Sequence, residues 1–320
     1  MHKLWSLLFG VIAFLCVLLF LVAPAAGWWL PRNVSSFGGD VDILFYVILA
    51  ITAFFFVLTE AMLVYNMFAF GHEPGRRSPF VHGHHKLEVI WTLVPGVLLI
   101  IIAVVQIKTW ENIKYQSKMP KPDGSVLQIV VQARQWEWRT RYPSPAQLVD
   151  WEANPDGAVQ YSKVASYPYE DYQQVDEVHG VNEIHCWMGK PGSNDGKVLI
   201  HLKTRDVIHS FFLPHLRLKQ DALPGKSIPV WFQANDYNTA RNPATKRWED
   251  GFDPKTGKWG QDDCVWDLAC AEFCGARHSM MKGRLYVHKD KADFLEWLKW
   301  AQKEQDRRTL PSEPGPTVAR

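Results

Sequence analysis

The 320-residue chain predicts a two-part fold: an N-terminal transmembrane helical hairpin (plus a signal peptide or extra membrane helix) followed by an all-β domain. Apolar residues make up 47% of the chain, and near the N-terminus they gather in three long uncharged stretches. From about Lys108 onward the composition becomes that of a water-soluble domain of short apolar runs cut by turn residues. A third observation bears on function: two cysteines, a histidine and a methionine fall within residues 270–281.

Residues 4–23, 43–59 and 89–107 contain no charged side chain. A helix needs roughly 20 apolar residues to cross a hydrocarbon core, so these are membrane helices. The first unit, 1–25, is ambiguous. Lys3, the apolar run and Ala23-Pro-Ala25 fit a cleaved signal peptide, but the run is also long enough to span. Cys16 within it reads as a buried apolar residue. The hairpin occupies 26–110, with helices over roughly 41–70 and 86–109. Glu60 in the first of these is expected to pair within the bundle. Pro95 in the second is tolerated in a membrane. The connecting loop carries Arg76, Arg77 and Lys86, so the positive-inside rule makes it cytoplasmic and puts the β domain outside. Its histidine-rich part, 81–85, reads as a polar interfacial loop rather than a metal site.

The β domain is expected over 111–290. Strand character marks 126–133, 136–142, 197–202, 210–213, 227–233 and 284–288, a sandwich or barrel pattern. Two Pro- and Gly-punctuated stretches, 143–195 and 236–263, read as long surface insertions. Cys186 and Cys264 lie one in each. Their pairing as a disulfide is the working expectation, with two free thiols as the rival. Residues 291–320 form the last unit. Phe294, Leu295, Trp297 and Leu298 give 291–304 amphipathic helical spacing, and the final ten or so residues read as disordered. The net charge of +2 and the lack of a basic run offer nothing to nucleic acid.

The segment Cys270-Ala-Glu-Phe-Cys-Gly-Ala-Arg-His-Ser-Met-Met281, with His209 upstream, is a soft-metal ligand set. Sulfur and imidazole together suit copper better than magnesium or calcium. The donors cannot share one face of a helix or strand, but they can converge from a loop folded round an ion. That chemistry points to electron transfer rather than hydrolysis. Two other readings stay open: a disulfide, which leaves His209, His278 and Met281 without a role, and a single-copper site, which needs only one cysteine.

Three motifs occur in the order found in subunit II of the haem-copper cytochrome c oxidases, and the chain resembles that family over most of its length. They are Leu87-Glu-Val-Ile-Trp-Thr-Leu-Val-Pro95, then Gln135-Trp-Glu-Trp138, then Asp206-Val-Ile-His-Ser-Phe-Phe-Leu-Pro214 with Lys219-Gln-Asp-Ala-Leu-Pro-Gly225 and the cysteine segment. The resemblance implies a cupredoxin-like domain holding the binuclear CuA centre. Cys270 and Cys274 would bridge two coppers, His209 and His278 would each supply an imidazole, and Met281 and the Glu272 carbonyl would be weak axial ligands. The Glu272 carboxylate would help bind magnesium or manganese shared with subunit I.

The resemblance further implies that Trp136 receives electrons from cytochrome c or a small copper protein, while Trp138 sits in the core. Asp206 and Asp221 would belong to a donor-docking face, Arg217 and Lys219 would touch haem propionates, and Glu88 would open a proton pathway. Haem itself would reside in the partner subunit. The partners implied are oxidase subunit I, other oxidase subunits and membrane lipid, in the inner (cell) membrane of a bacterium with the β domain on the periplasmic side. No Cys-x-x-Cys-His haem-attachment motif occurs, so the donor is a separate protein. The expected function is the electron-accepting subunit of a proton-pumping, oxygen-reducing complex. The alternatives are a CuA subunit of a nitric oxide reductase and a copper-free structural subunit of a quinol oxidase.

Overall fold

A computed structural model describes residues 2–72, 74–77, 80, 82–167 and 177–309. The chain forms two compact units, one of residues 1–31 and 40–111, the other of residues 32–39 and 112–320. The expected disordered tail, residues 168–176 of the first expected insertion, and Val81 of the histidine-rich loop lie outside the described residues.

The first unit contains α1 (His2–Val22), α2 (Gly38–Ala69) and α3 (His85–Lys114). All three are apolar enough and long enough to cross a membrane, with mean hydropathy of 2.5–2.8, and the protein is membrane-anchored. The uninterrupted helix from His2 to Val22 is consistent with the additional membrane helix that the sequence allows. The Ser6 hydroxyl donates to the Val64 carbonyl at 2.9 Å, tying α1 to α2. The pairing expected of Glu60 is not seen. Among the described residues it makes no ion pair, and it lines an apolar groove between α1 and α2.

The second unit holds two five-stranded sheets. The first sheet has the order β3-β2-β1-β5-β8, built from β1 (Leu127–Arg134), β2 (Glu137–Tyr142), β3 (Val178–Val181), β5 (Lys197–Thr204) and β8 (Ile228–Gln233). The second has the order β4-β12-β11-β6-β7, from β4 (Glu183–Trp187), β6 (His209–Leu213), β7 (Leu218–Ala222), β11 (Trp266–Cys270) and β12 (Lys282–His288). Two short strands, β9 (Ala240–Arg241) and β10 (Trp248–Glu249), pair separately. One parallel pair lies in each sheet, β1 with β5 and β4 with β12. This is the expected cupredoxin-like sandwich. Trp138 and Phe211 meet across its core with ring centres 5.5 Å apart. The His185 amide donates to the Tyr142 hydroxyl at 2.8 Å, from one sheet to the other.

The segment 143–195 corrects an expectation. It is built into the domain rather than lying loose on its surface. It forms α4 (Pro145–Ala153), α5 (Pro155–Ala165), β3 and β4. Ser144 starts α4 with a reciprocal capping box to Gln147, which satisfies two otherwise unpaired helix-end donors. The helical segment covers the outer face of the first sheet. Gln128 donates to the Ala158 carbonyl at 2.9 Å, and the Lys203 ammonium reaches the Tyr167 carbonyl. β5 is therefore buried on both faces, including His201 and Lys203. Residues 32–39 also join this unit rather than the hairpin, through a bridge between Ser35 and Ala234.

The expected Cys186–Cys264 disulfide does not form; both thiols are free and buried. Cys186 is enclosed in the core on β4, and burial pushes its thiol above the ordinary range. Cys264 sits beside the Arg32 guanidinium, 4.0 Å away. After β12, α6 (Lys291–Thr309) extends the predicted helix and buries Phe294, Trp297 and Leu298.

Candidate metal centre

The site lies where β6 begins and where β11 gives way to a loop. His209 is the first residue of β6, and Cys270 is the last of β11. Antiparallel register sets Cys270 opposite Phe211, so the two ligands approach from adjacent strands. The loop ends are pinned. The Cys270 amide donates to the Met281 carbonyl at 3.2 Å, and the Ala271 amide donates to the Ser210 carbonyl at 2.9 Å. A short 3-10 turn, His278–Met280, swings His278 and Met281 back toward the cysteines. Gly275 makes this possible. Its φ is +114°, and a Cβ there would stand 3.0 Å from the Gln135 amide nitrogen and 3.3 Å from the Trp136 ring. Positive φ of this kind suits glycine because no side chain is present to clash.

The expected copper ligands converge. The two sulfurs are 3.8 Å apart. His209 Nδ1 is 3.8 Å from Cys270 Sγ, and His278 Nδ1 is 3.6 Å from Cys274 Sγ. Met281 Sδ is 3.9 Å from Cys274 Sγ, and the Glu272 carbonyl is 3.2 Å from Cys270 Sγ. A disulfide would need about 2.0 Å between the sulfurs, so the pair are thiols. Two sulfurs each about 2.3 Å from one transition-metal ion, at a tetrahedral angle, stand about 3.8 Å apart. The donor set therefore fits metal without rearrangement.

The electrostatics fit as well. Burial would raise the Cys270 thiol, but contacts with His209 and the backbone at Ser210 outweigh it and bring the thiol down to about 6. Burial pushes Cys274 up to about 12, reinforced by the charge of Cys270 beside it. Two adjacent thiolates repel, so without a cation only one ionises. A bound metal would ionise both and release the second proton.

Asp206 belongs to the site in a way its expected place on a docking face does not convey. Its Oδ1 lies 2.8 Å from His209 Nε2, and its Oδ2 accepts the Gln135 amide at 2.7 Å. Burial would raise its carboxyl, but the Gln135 amide and the His209 contact hold it low. With Nε2–H donated to Asp206, the Nδ1 lone pair faces Cys270. Carboxylate partners of this kind fix the tautomer and angle of a metal-binding histidine. The Asp-x-x-His spacing is the signal in the sequence.

Trp136 is half-buried, and its indole N–H donates to the Cys274 carbonyl at 3.2 Å. The Gln135 side chain donates to the same oxygen at 2.8 Å. Trp138 is fully buried beside His209, with ring centres 6.3 Å apart. Asp221 accepts from the Ser210 hydroxyl at 2.7 Å, which turns it toward β6. Arg217 adopts φ +54° and donates to the Pro214 carbonyl at 2.8 Å, while Lys219 is exposed on β7. The Glu272 side chain is exposed. In the membrane unit Glu88 accepts the His84 amide at 3.2 Å in the first turn of α3. Glu88 is thus placed as a helix-start carboxylate.

The family model for the transmembrane domain of cytochrome c oxidase subunit II matches residues 23–109. The alternative cytochrome c oxidase subunit 2 of Bradyrhizobium diazoefficiens is 26% identical over 302 residues, covering 92% of this chain and 90% of that protein. The cytochrome c oxidase subunit 2 of Thermostichus vulcanus is 26% identical over an alignment of 340 positions, covering 97% and 89%. A solved structure, the periplasmic domain of subunit II of cytochrome oxidase from Bradyrhizobium japonicum, is 24% identical over 58% of this chain and 97% of that one, with a TM-score of 0.34. The family model matches the membrane segments at one end of the chain and the relatives align across nearly all of it, so the chain is similar to cytochrome c oxidase subunit II along most of its length.

Proposed function

We propose that this protein receives single electrons from a soluble donor, holds them at a binuclear CuA centre and passes them to haem in subunit I of a haem-copper oxidase. There, oxygen would be reduced to water with coupled proton pumping. One observation carries the reading. Two thiols stand 3.8 Å apart, each flanked by an imidazole nitrogen, with a thioether and a backbone carbonyl completing the ring of donors. A single-copper site has no use for the second thiol. When bound, a copper pair held by Cys270, Cys274 and the flanking imidazoles would supply one-electron chemistry.

The residues of the chain do the rest. Cys270 and Cys274 hold the metal pair, and Asp206 orients His209. The β6–β11 register and the pinned loop ends resist movement of the ligands between redox states. Trp136, one hydrogen bond from the Cys274 carbonyl, gives electrons a short path inward. Glu272 directs its carbonyl to the cysteines, and its side chain is exposed, open to a magnesium or manganese ion shared with subunit I. Arg217 and Lys219 are offered to haem propionates, and Glu88 to proton uptake at the cytoplasmic end of α3. The β domain would face the periplasm from a bacterial inner membrane, because the basic loop between α2 and α3 favours the cytoplasm.

The test is electron paramagnetic resonance of the full-length, copper-loaded protein. A hyperfine pattern from one spin shared equally by two copper nuclei is expected. A single-copper pattern, or no copper with oxidised thiols, overturns the reading and returns the chain to a structural role.

A further inference from the structure

The surface around Trp136 is basic. A recess of about 750 Å³ opens beside the indole, and Arg134, Arg205 and Arg277 line it together with Met280. Its two carboxylates are occupied. Glu137 lies between the guanidiniums of Arg134 and Arg139, the latter at 2.6 Å. Asp206 faces His209 and the Gln135 amide. Arg205 and Arg277 are exposed and make no ion pair among the described residues. Three guanidiniums line the recess with two carboxylates, an excess of one positive charge, and Arg139, outside the lining, pairs with Glu137 as well. Met280, 72% exposed, and the Trp136 ring supply an apolar floor. Of the two aspartates expected on a donor-docking face, Asp206 lines this recess among the arginines.

We infer that this recess docks an acidic electron-carrier protein, one whose prosthetic group is ringed by carboxylates, rather than a basic one. The inference rests on the reading of Trp136 as the point where electrons arrive. Charge complementarity decides partner choice because it steers encounter and penalises like-charged partners. An arginine fork also binds carboxylates in a bidentate manner, which adds orientation to attraction. The apolar floor lets the donor's exposed cofactor edge approach Trp136 once the rim charges have paired.

The experiment uses the complete oxidase complex and one c-type cytochrome in two forms: native and lysine-rich, and succinylated so that the lysines become acids. The redox group is the same, so only surface charge differs. Stopped-flow reduction is followed at the copper absorbance across ionic strengths. The succinylated form is expected to react roughly tenfold faster at low salt, with the advantage vanishing as salt screens the rim. Arg205→Glu should shrink the ratio of the two rates. That ratio is internal to each preparation and insensitive to partial loading. A native form that is faster, and slowed by salt, overturns the acidic-partner inference while leaving the electron-transfer reading intact. Reduction of neither form, with the copper still reduced by a small neutral reductant, overturns the reading on which the inference rests.

Discussion

Two histidine clusters in the β domain look alike on paper and differ in chemistry. At the copper-type site, His209 has one ring nitrogen on Asp206 and the other facing Cys270. Under α6, His185 and His288 form a second buried pair, with Nδ1 of the first 3.1 Å from Nε2 of the second. His288 Nδ1 lies 2.9 Å from Asp293, which also accepts the Trp248 indole N–H at 3.0 Å. His185 is sandwiched between the rings of Tyr286 and Trp297, at 4.3 Å and 3.7 Å. In this second cluster the polar atoms face one another and aromatic rings close the space. In the first, the lone pairs aim at a common point. Histidine with a carboxylate therefore does not make a metal site; a ligand atom left free and convergent with sulfur does.

The comparison breaks first at Cys274. Cys274→Ser is expected to abolish the shared-spin copper signal entirely, because the second bridging sulfur is lost. Metal analysis beside paramagnetic resonance checks it, and a retained two-copper pattern would undo the ligand assignment.

The second cluster should respond to acid rather than to metal. Burial lowers His185 from 6.5 to about 4. A histidine held neutral by the fold supports stability above its unfolded value, near 6.5, and that support is lost as pH falls from there toward about 4. Each tenfold change in proton affinity is worth about 1.4 kcal/mol, so the loss across that window is on the order of 3 kcal/mol. Denaturant midpoints measured across it should fall, and His185→Phe, which keeps the ring stack, should flatten the slope. An unchanged slope would remove His185 as its source.

Asp206→Asn is expected to weaken metal binding roughly tenfold while leaving the fold intact, the usual effect of losing a histidine's carboxylate partner. Competition against a chelator reads it directly. The smallest effect is expected at Gly275→Ala. The φ of +114° and the 3.0 Å approach to Gln135 predict a loss of about 1 kcal/mol. The change should be visible in thermal unfolding and in Trp136 fluorescence, with copper still bound.

The membrane helices are legible in the sequence because a bilayer imposes a length and a composition that leave little choice. α2 and α3 fall within a few residues of their expected limits. The strands rich in β-branched and aromatic residues, β1, β2, β5, β6, β8 and β12, are legible for the same local reason. β3, β4, β7 and β11 are not. β7 carries Lys219, Gln220 and Asp221 at three of its five positions, and β4 and β11 become strands by pairing with β12, far along the chain or across a ligand loop. The helices of 145–165 look like a loose insertion because Pro and Gly punctuate them, although both prolines occupy helix first turns, where they are tolerated.

Residue identity and short-range spacing are enough to single out the candidate ligand set, the membrane hairpin and the family resemblance. Packing in three dimensions sets what the remaining polar groups do. It leaves Cys186 and Cys264 as separate buried thiols, covers His201 and Lys203 with helices, and rings Trp136 with arginines. Those outcomes depend on which side chains strand register brings together across sixty or more residues, as it does for His209 and Cys270. No local pattern along the chain records such meetings.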